Sequence, residues 1–147
     1  MIRETDTFAK KKAIPQGDTV VDVSRSRDNK GEVSPLAPSR KLQDDWNQGR
    51  IVWKDYVERY YQELKENKEA NSLIEEIADL AAQGDVWLVG MEREYPCHRF
   101  LVKQIVERIL VGRGVLGKPE DYSECYERYK NLTRPEIKAL TEPIQSP

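Results

Sequence analysis

Apolar residues fall at helical spacing over four long stretches of this chain and bunch into short continuous runs over two others. Tyr56, Val57, Tyr60, Tyr61 and Leu64 make one broad stripe, predicting a helix that begins near Trp53 and ends at Asn67. Leu73, Ile74, Ile77, Leu80 and Ala81 repeat the pattern up to Gly84, and Leu101, Val102, Ile105, Val106, Ile109 and Leu110 repeat it from Cys97 to about Val111. Ser39 is a suitable N-cap for a shorter helix that runs to about Gln48, puts Leu42 and Trp46 on one side, and stops at Gly49. Thr19 to Val23 is β-branched and reads as a buried strand. Val86 to Met91 is nearly all apolar, the pattern of a strand covered on both faces. A short edge strand is expected around Ile2 to Phe8, and a short helix between Pro119 and Lys130. Asp28 to Ser39 carries Gly31, Pro35 and Pro38 without a period and reads as a loop.

Strands alternating with helices imply a compact single α/β domain: a small, mostly parallel or mixed sheet with helices packed on it. Residues 1–132 are expected to form that domain. Residues 133–147, with Pro135, Pro143 and Pro147, are expected to be a frayed tail. The 147 residues suffice for one real core. Charged residues are 34% of the chain, yet net charge is only −2, so any attraction for anions must come from a local cluster. The longest apolar run falls far short of the roughly 20 residues that cross a bilayer, and the first residues lack a signal core. Two distant cysteines, Cys97 and Cys125, make no disulfide framework. Reduced thiols and a cytoplasmic location are therefore expected, with no membrane partner.

The chemistry concentrates where the second apolar run meets its helix: Glu92-Arg93-Glu94-Tyr95-Pro96-Cys97-His98-Arg99. In open α/β sheets, ligands bind beyond the carboxyl ends of strands. The earlier strand also ends in polar residues, Ser24-Arg25-Ser26-Arg27. His98 and Arg99 fall in the first turn of a helix, where the dipole disfavours positive charge by about 0.3–1 kcal/mol. That cost calls for a negative partner. Either Arg99 folds back onto Glu92, Glu94 or Asp22, or Arg99 joins Arg25, Arg27 and helix amides around an anion. Cys97 at a helix start beside two basic residues is placed for a lowered thiol pKa and hence nucleophilic chemistry, although a lone cysteine is more often a small buried hydrophobe. His98 is the sole histidine, so any imidazole acid–base work falls to it. Glu92 is a candidate acid or base, or simply a loop carboxylate.

Neither a metal site nor a cofactor is expected: there is no HExxH, no CxxC, no GxGxxG and no Walker-type loop. Tyr56, Tyr60, Tyr61, Trp46, Trp53 and Trp87 read as mostly core. Lys10-Lys11-Lys12 reads as a solvated run that, with Arg25, Arg27 and Arg40, could also make a basic face. Tyr122, Tyr126 and Tyr129 read as packing residues before stacking platforms.

Three segments together resemble the family called domain of unknown function 488 (DUF488). They are Val23-Ser24-Arg25-Ser26-Arg27; Leu36-Ala37-Pro38-Ser39 followed by Gly49-Arg50-Ile51-Val52-Trp53-Lys54-Asp55-Tyr56, Tyr60 and Glu63-Leu64; and Val86 to Val102 with Glu92, Pro96 and Cys97-His98-Arg99. The resemblance covers roughly residues 14–112. It departs after Arg27, where many members carry a proline and this chain has Asp28-Asn29-Lys30. The resemblance implies a compact α/β fold in a cytosolic bacterial or archaeal protein. It also implies that Arg25, Glu92, Cys97, His98 and Arg99 act as a unit, while leaving the chemistry undefined.

Three functional expectations follow. The first is a site for a small anionic ligand, a nucleotide or phosphorylated metabolite, with Arg25, Arg27, Arg99, Ser24 and Arg40 as binding residues. If that site is catalytic, Cys97, His98 and Glu92 carry the reaction. The second is a nucleic-acid-binding accessory protein using the basic residues. The third is a non-catalytic interaction module in which Arg99 is paired structurally with a carboxylate.

Overall fold

The structure is a computed structural model and describes residues 1–6, 14–25, 31–90 and 96–141. Among these residues it is an α/β fold with a small parallel sheet and six helices. The strands are β1 (Ile2–Asp6), β2 (Thr19–Asp22) and β3 (Val86–Gly90). The helices are α1 (Arg40–Asn47), α2 (Trp53–Glu66), α3 (Lys68–Gln83), α4 (His98–Gly112), α5 (Ser123–Tyr129) and α6 (Arg134–Thr141). β3 is central, and the sheet order is β1-β3-β2. Ile2 and Thr19 both register with Val86, one from each side.

Local chemistry accounts for the boundaries. Ser39 accepts the Leu42 amide at 3.2 Å and starts α1, while Gly49, at φ 72°, supplies the left-handed turn that ends it. Asn67 closes α2 and opens α3, where its side chain accepts from the Ala70 amide at 3.1 Å. α2 has as its N-cap Val52, whose side chain cannot cap. Its first amides are satisfied from afar: Trp53 N donates to Leu132 O at 2.9 Å and Lys54 N to Lys130 O at 3.0 Å. The C-terminal segment is thereby tied to the body of the fold.

The core runs between the sheet and α2, α3 and α4. α3 and α4 pack on each other and both touch β3, and α4 also lies along β1. A row of rings crosses it. Trp46 and Trp53 lie 5.3 Å apart, Trp53 stacks on Tyr56 at 5.0 Å, Tyr56 on Tyr60 at 6.0 Å, and Tyr60 meets the edge of His98 at 5.7 Å. Each such pair adds about 0.5–1.5 kcal/mol beyond area burial, and the row delivers the core directly to the start of α4.

Two expectations need correction. Thr19 to Val23 is not a buried strand: β2 is an edge strand with Val20 38% exposed, and only Val23, just past its end, is fully buried. β-branched composition marks a strand but does not say how many faces are covered. Residues 134–141 do not fray either. They form α6, and Ile137 is 1% exposed in the core. Pro135 is tolerated because it lies in the first helical turn, where its missing amide has no partner to lose. Thr133 and Glu136 cap the turn reciprocally. The Thr133 amide and hydroxyl donate to Glu136 Oε1 at 3.1 and 2.9 Å, and the Glu136 amide reaches Thr133 Oγ1 at 3.4 Å.

Candidate functional site

The first turn of α4 straddles β3 and is fastened to both edge strands. On the β2 side, His98 Nε2 lies 2.6 Å from the carbonyl oxygen of Val23. A carbonyl can only accept, so Nε2 carries the hydrogen, and in the neutral ring Nδ1 is the basic nitrogen. On the β1 side, Arg99 Nε lies 3.1 Å from Glu4 Oε2. Arg99 is 3% exposed and Glu4 23%. Gly90 ends β3 directly beneath that arginine, and a Cβ there would lie 3.2 Å from both Cγ and Cδ of Arg99. Glycine at the strand end thus makes the channel through which the side chain crosses to β1. The guanidinium also sits 5.7 Å from the centre of the Phe100 ring.

Glu4 therefore supplies a negative partner for the basic helix start. The carboxylates named from the sequence were Glu92, Glu94 and Asp22. Glu92 and Glu94 lie outside the described residues, and Asp22 is engaged locally, accepting from the Ser24 amide at 2.8 Å and the Ser24 hydroxyl at 2.6 Å.

Cys97 is buried at the N-cap of α4, in extended backbone with φ −149° and ψ 174°. It acts electrostatically on the Tyr60 phenol. Burial first, then the electrostatic influence of Cys97 and Glu63, pushes the Tyr60 phenol far above its usual range, so Tyr60 stays protonated. That hydroxyl donates to Leu36 O at 2.6 Å. Tyr60 reads as core from sequence, but its helical register carries it to the site, where it adds a buried donor.

The other expected residues divide. Ser24 is buried beside the Val23 carbonyl that holds His98, so Ser24, Cys97, His98 and Tyr60 gather beyond the carboxyl ends of β2 and β3. Arg25 is half-buried and its Nη1 donates to Pro38 O at 2.8 Å, bracing the 31–39 loop. Arg40 is an exposed first residue of α1. Arg27, Glu92 and Lys10 to Lys12 lie outside the described residues. Ser39 is held by Glu63, which accepts from its amide at 2.8 Å and its hydroxyl at 2.5 Å, so the loop is pinned at both ends of the Arg25 contact. Among the described residues, no group of three or more His, Cys, Asp or Glu side chains could hold a metal ion, and no helix is long and apolar enough to cross a membrane.

A parallel sheet with buried polar groups gathered at its carboxyl ends defines the chain as an α/β protein with a strand-to-helix candidate site. The family model described as the active DUF488-N3 subclade (DUF488-N3a) matches residues 18–110, and the chain belongs to that family. No curated protein and no solved structure matches it.

Proposed function

We propose that the space beyond the carboxyl ends of β2 and β3 binds a small anionic ligand, a nucleotide or phosphorylated metabolite. One observation carries this reading: Ser24, Cys97, His98, Arg99 and Tyr60 are all buried at that end of the sheet. Burying five polar side chains costs stability unless each is held, and helix packing alone would be served by apolar residues. Concentrated titratable groups at a strand end favour a functional site. The family description, an active subclade, fits a site that retains its chemistry.

In this reading Arg99 and Arg25 supply the positive charge that faces the anion, Arg99 oriented by Glu4 and Arg25 by the Pro38 carbonyl. Cys97 is the reactive group if chemistry occurs, with His98 or Glu92 moving the proton. The test is a chemical-shift titration with inorganic phosphate, AMP and ADP. Shifts at Ser24, His98 and Tyr60 support the site, and silence there at millimolar ligand removes it. The pH dependence of Cys97 alkylation in a Cys125→Ser background tests the nucleophile. A thiol titrating near its free value of about 8.5 rules that role out.

The Arg99–Glu4 pair favours a second reading, in which the junction is a closed structural clasp of an interaction module. A silent titration together with a large stability loss on breaking the pair selects it. The nucleic-acid reading would draw on Arg25, Arg40 and the other basic residues. Absence of DNA and RNA binding at low salt would eliminate it.

A further inference from the structure

On the far side of α4 from the sheet, a cavity of about 430 Å³ lies between α2, α4 and the segment 119–126. Its size falls within the roughly 300–1,000 Å³ typical of small-molecule sites. The floor is apolar, from Val57 and Leu101. Tyr61, Phe100, Tyr122 and Tyr126 supply aromatic walls, and Phe100 meets Tyr122 edge-on at 5.9 Å. Residues 119–126, one whole wall, lie beyond the 18–110 family match. They are held in place deliberately: the buried Glu107 accepts the Glu120 amide at 2.9 Å, and Lys103 Nζ lies 2.7 Å from Glu120 Oε2, which also accepts from Tyr122 at 2.8 Å.

The polar groups of the lining are few. Gln104 presents an amide donor beside an amide acceptor, the pairing that reads the edge of a heteroaromatic ring. Asp121 is held ionised below the usual aspartate range by the Ser123 hydroxyl and amide, and a carboxylate of this kind accepts from sugar hydroxyls. Lys103 and Arg108 face the carboxyl groups of Glu107, Glu120 and Asp121, so the lining holds no surplus of positive charge that would select an anion. Cys125, half-buried, lies in the same wall.

We propose that this cavity binds an uncharged nucleoside, with its ring between the aromatic walls, its edge on Gln104 and its sugar toward Asp121. The cavity adjoins the junction through Pro96 and Phe100 but opens on α2 and the segment 119–126, and an unphosphorylated ligand keeps the two tests apart. The experiment titrates the full chain with adenosine, using indole as an aromatic lacking both the polar edge pattern and the sugar, and follows the Trp53 indole and Gln104 amide signals together with Cys125 alkylation.

Adenosine should shift both signals and slow Cys125 alkylation, and indole should bind far more weakly. Gln104→Leu should weaken adenosine about tenfold, in line with the ~1–3 kcal/mol of a bidentate base contact. Val57→Trp should fill the cavity and abolish binding. If Val57→Trp does not fold, the Gln104→Leu comparison decides. No response to adenosine at millimolar concentration, equal responses to indole, or unchanged binding by Gln104→Leu would overturn the proposal. A phosphate response at Ser24 and His98, present or absent, bears only on the junction.

Discussion

Replacing Glu4 by leucine removes a carboxylate that faces Arg99 and leaves the guanidinium 3% exposed with one countercharge fewer. Breaking a fully buried ion pair from one side costs about 3–5 kcal/mol. Glu4 is 23% exposed, so water already screens part of the pair, and the lower end applies, about 3 kcal/mol. Glu4→Gln keeps a polar oxygen in place of the carboxylate but not its charge, so its loss should be smaller than that of Glu4→Leu. For a chain of this size each kcal/mol moves Tm by about 2–4 °C, so Glu4→Leu should melt roughly 6–12 °C lower. The assay is urea unfolding, followed by tryptophan fluorescence, of the four members of a cycle: the parent, Glu4→Leu, Arg99→Met and the double variant. The two losses should be strongly non-additive, with a coupling of about 2 kcal/mol, because the double variant leaves neither charge stranded. A coupling below about 0.5 kcal/mol would refute the reasoning, since Arg99 would then draw its compensation from somewhere other than β1.

Gly90→Ala should destabilise by about 1 kcal/mol: crowding of the pinned Arg99 side chain, typically ~1–3 kcal/mol, exceeds the ~0.4–1 kcal/mol gained from a less flexible unfolded chain. Equal or higher Tm would show that Arg99 yields freely. Asp45 is held below the usual aspartate value of 3.8, first by Arg50 and then by Arg59, so its stabilisation is present above that value and vanishes as pH falls through the lower folded one. The Tm difference between the parent and Asp45→Asn should therefore be open at pH 7 and close in acid, and a gap unchanged down to pH 2 would contradict it. Tyr60→Phe should cost about 1–3 kcal/mol by stranding the buried Leu36 carbonyl, as read by urea unfolding. Glu136→Ala should lower Tm and raise amide exchange in α6 first; exchange unchanged in α6 would deny the capping role.

Local signals were legible where a single side chain decides the outcome. Ser39, Gly49 and Asn67 set helix ends by chemistry within four residues, and α1, α2 and α3 follow them. The Val86 run announced the strand that proves central. α6 was hidden because prolines outweighed the Thr133-x-x-Glu136 box, a signal present in the sequence. At the junction, the need for a negative partner was legible from the dipole, but its identity was not. Glu4 reaches Arg99 only because β1 and β3 pair side by side, and that pairing depends on the whole sheet rather than on any window of sequence. The role of Tyr60 was obscured for a related reason: an aromatic on an apolar stripe looks alike whether its hydroxyl meets solvent or a buried carbonyl.

The placement of β3 between two earlier strands has a consequence for how the chain acquires its structure. β1 and β2 are not hydrogen-bonded to each other, since each pairs with β3. During synthesis from the N-terminus, neither can find its sheet partner until Val86 to Gly90 has emerged, by which time α1, α2 and α3 are already available. Closing such long loops is entropically slow, whereas helices form in about a microsecond. The helical hairpin formed by α2 and α3 is therefore expected to assemble first and to wait for the sheet. In kinetic terms, substitutions along the Tyr56–Tyr60 row should slow folding, while substitutions at Glu4 and Arg99 should act chiefly by speeding unfolding.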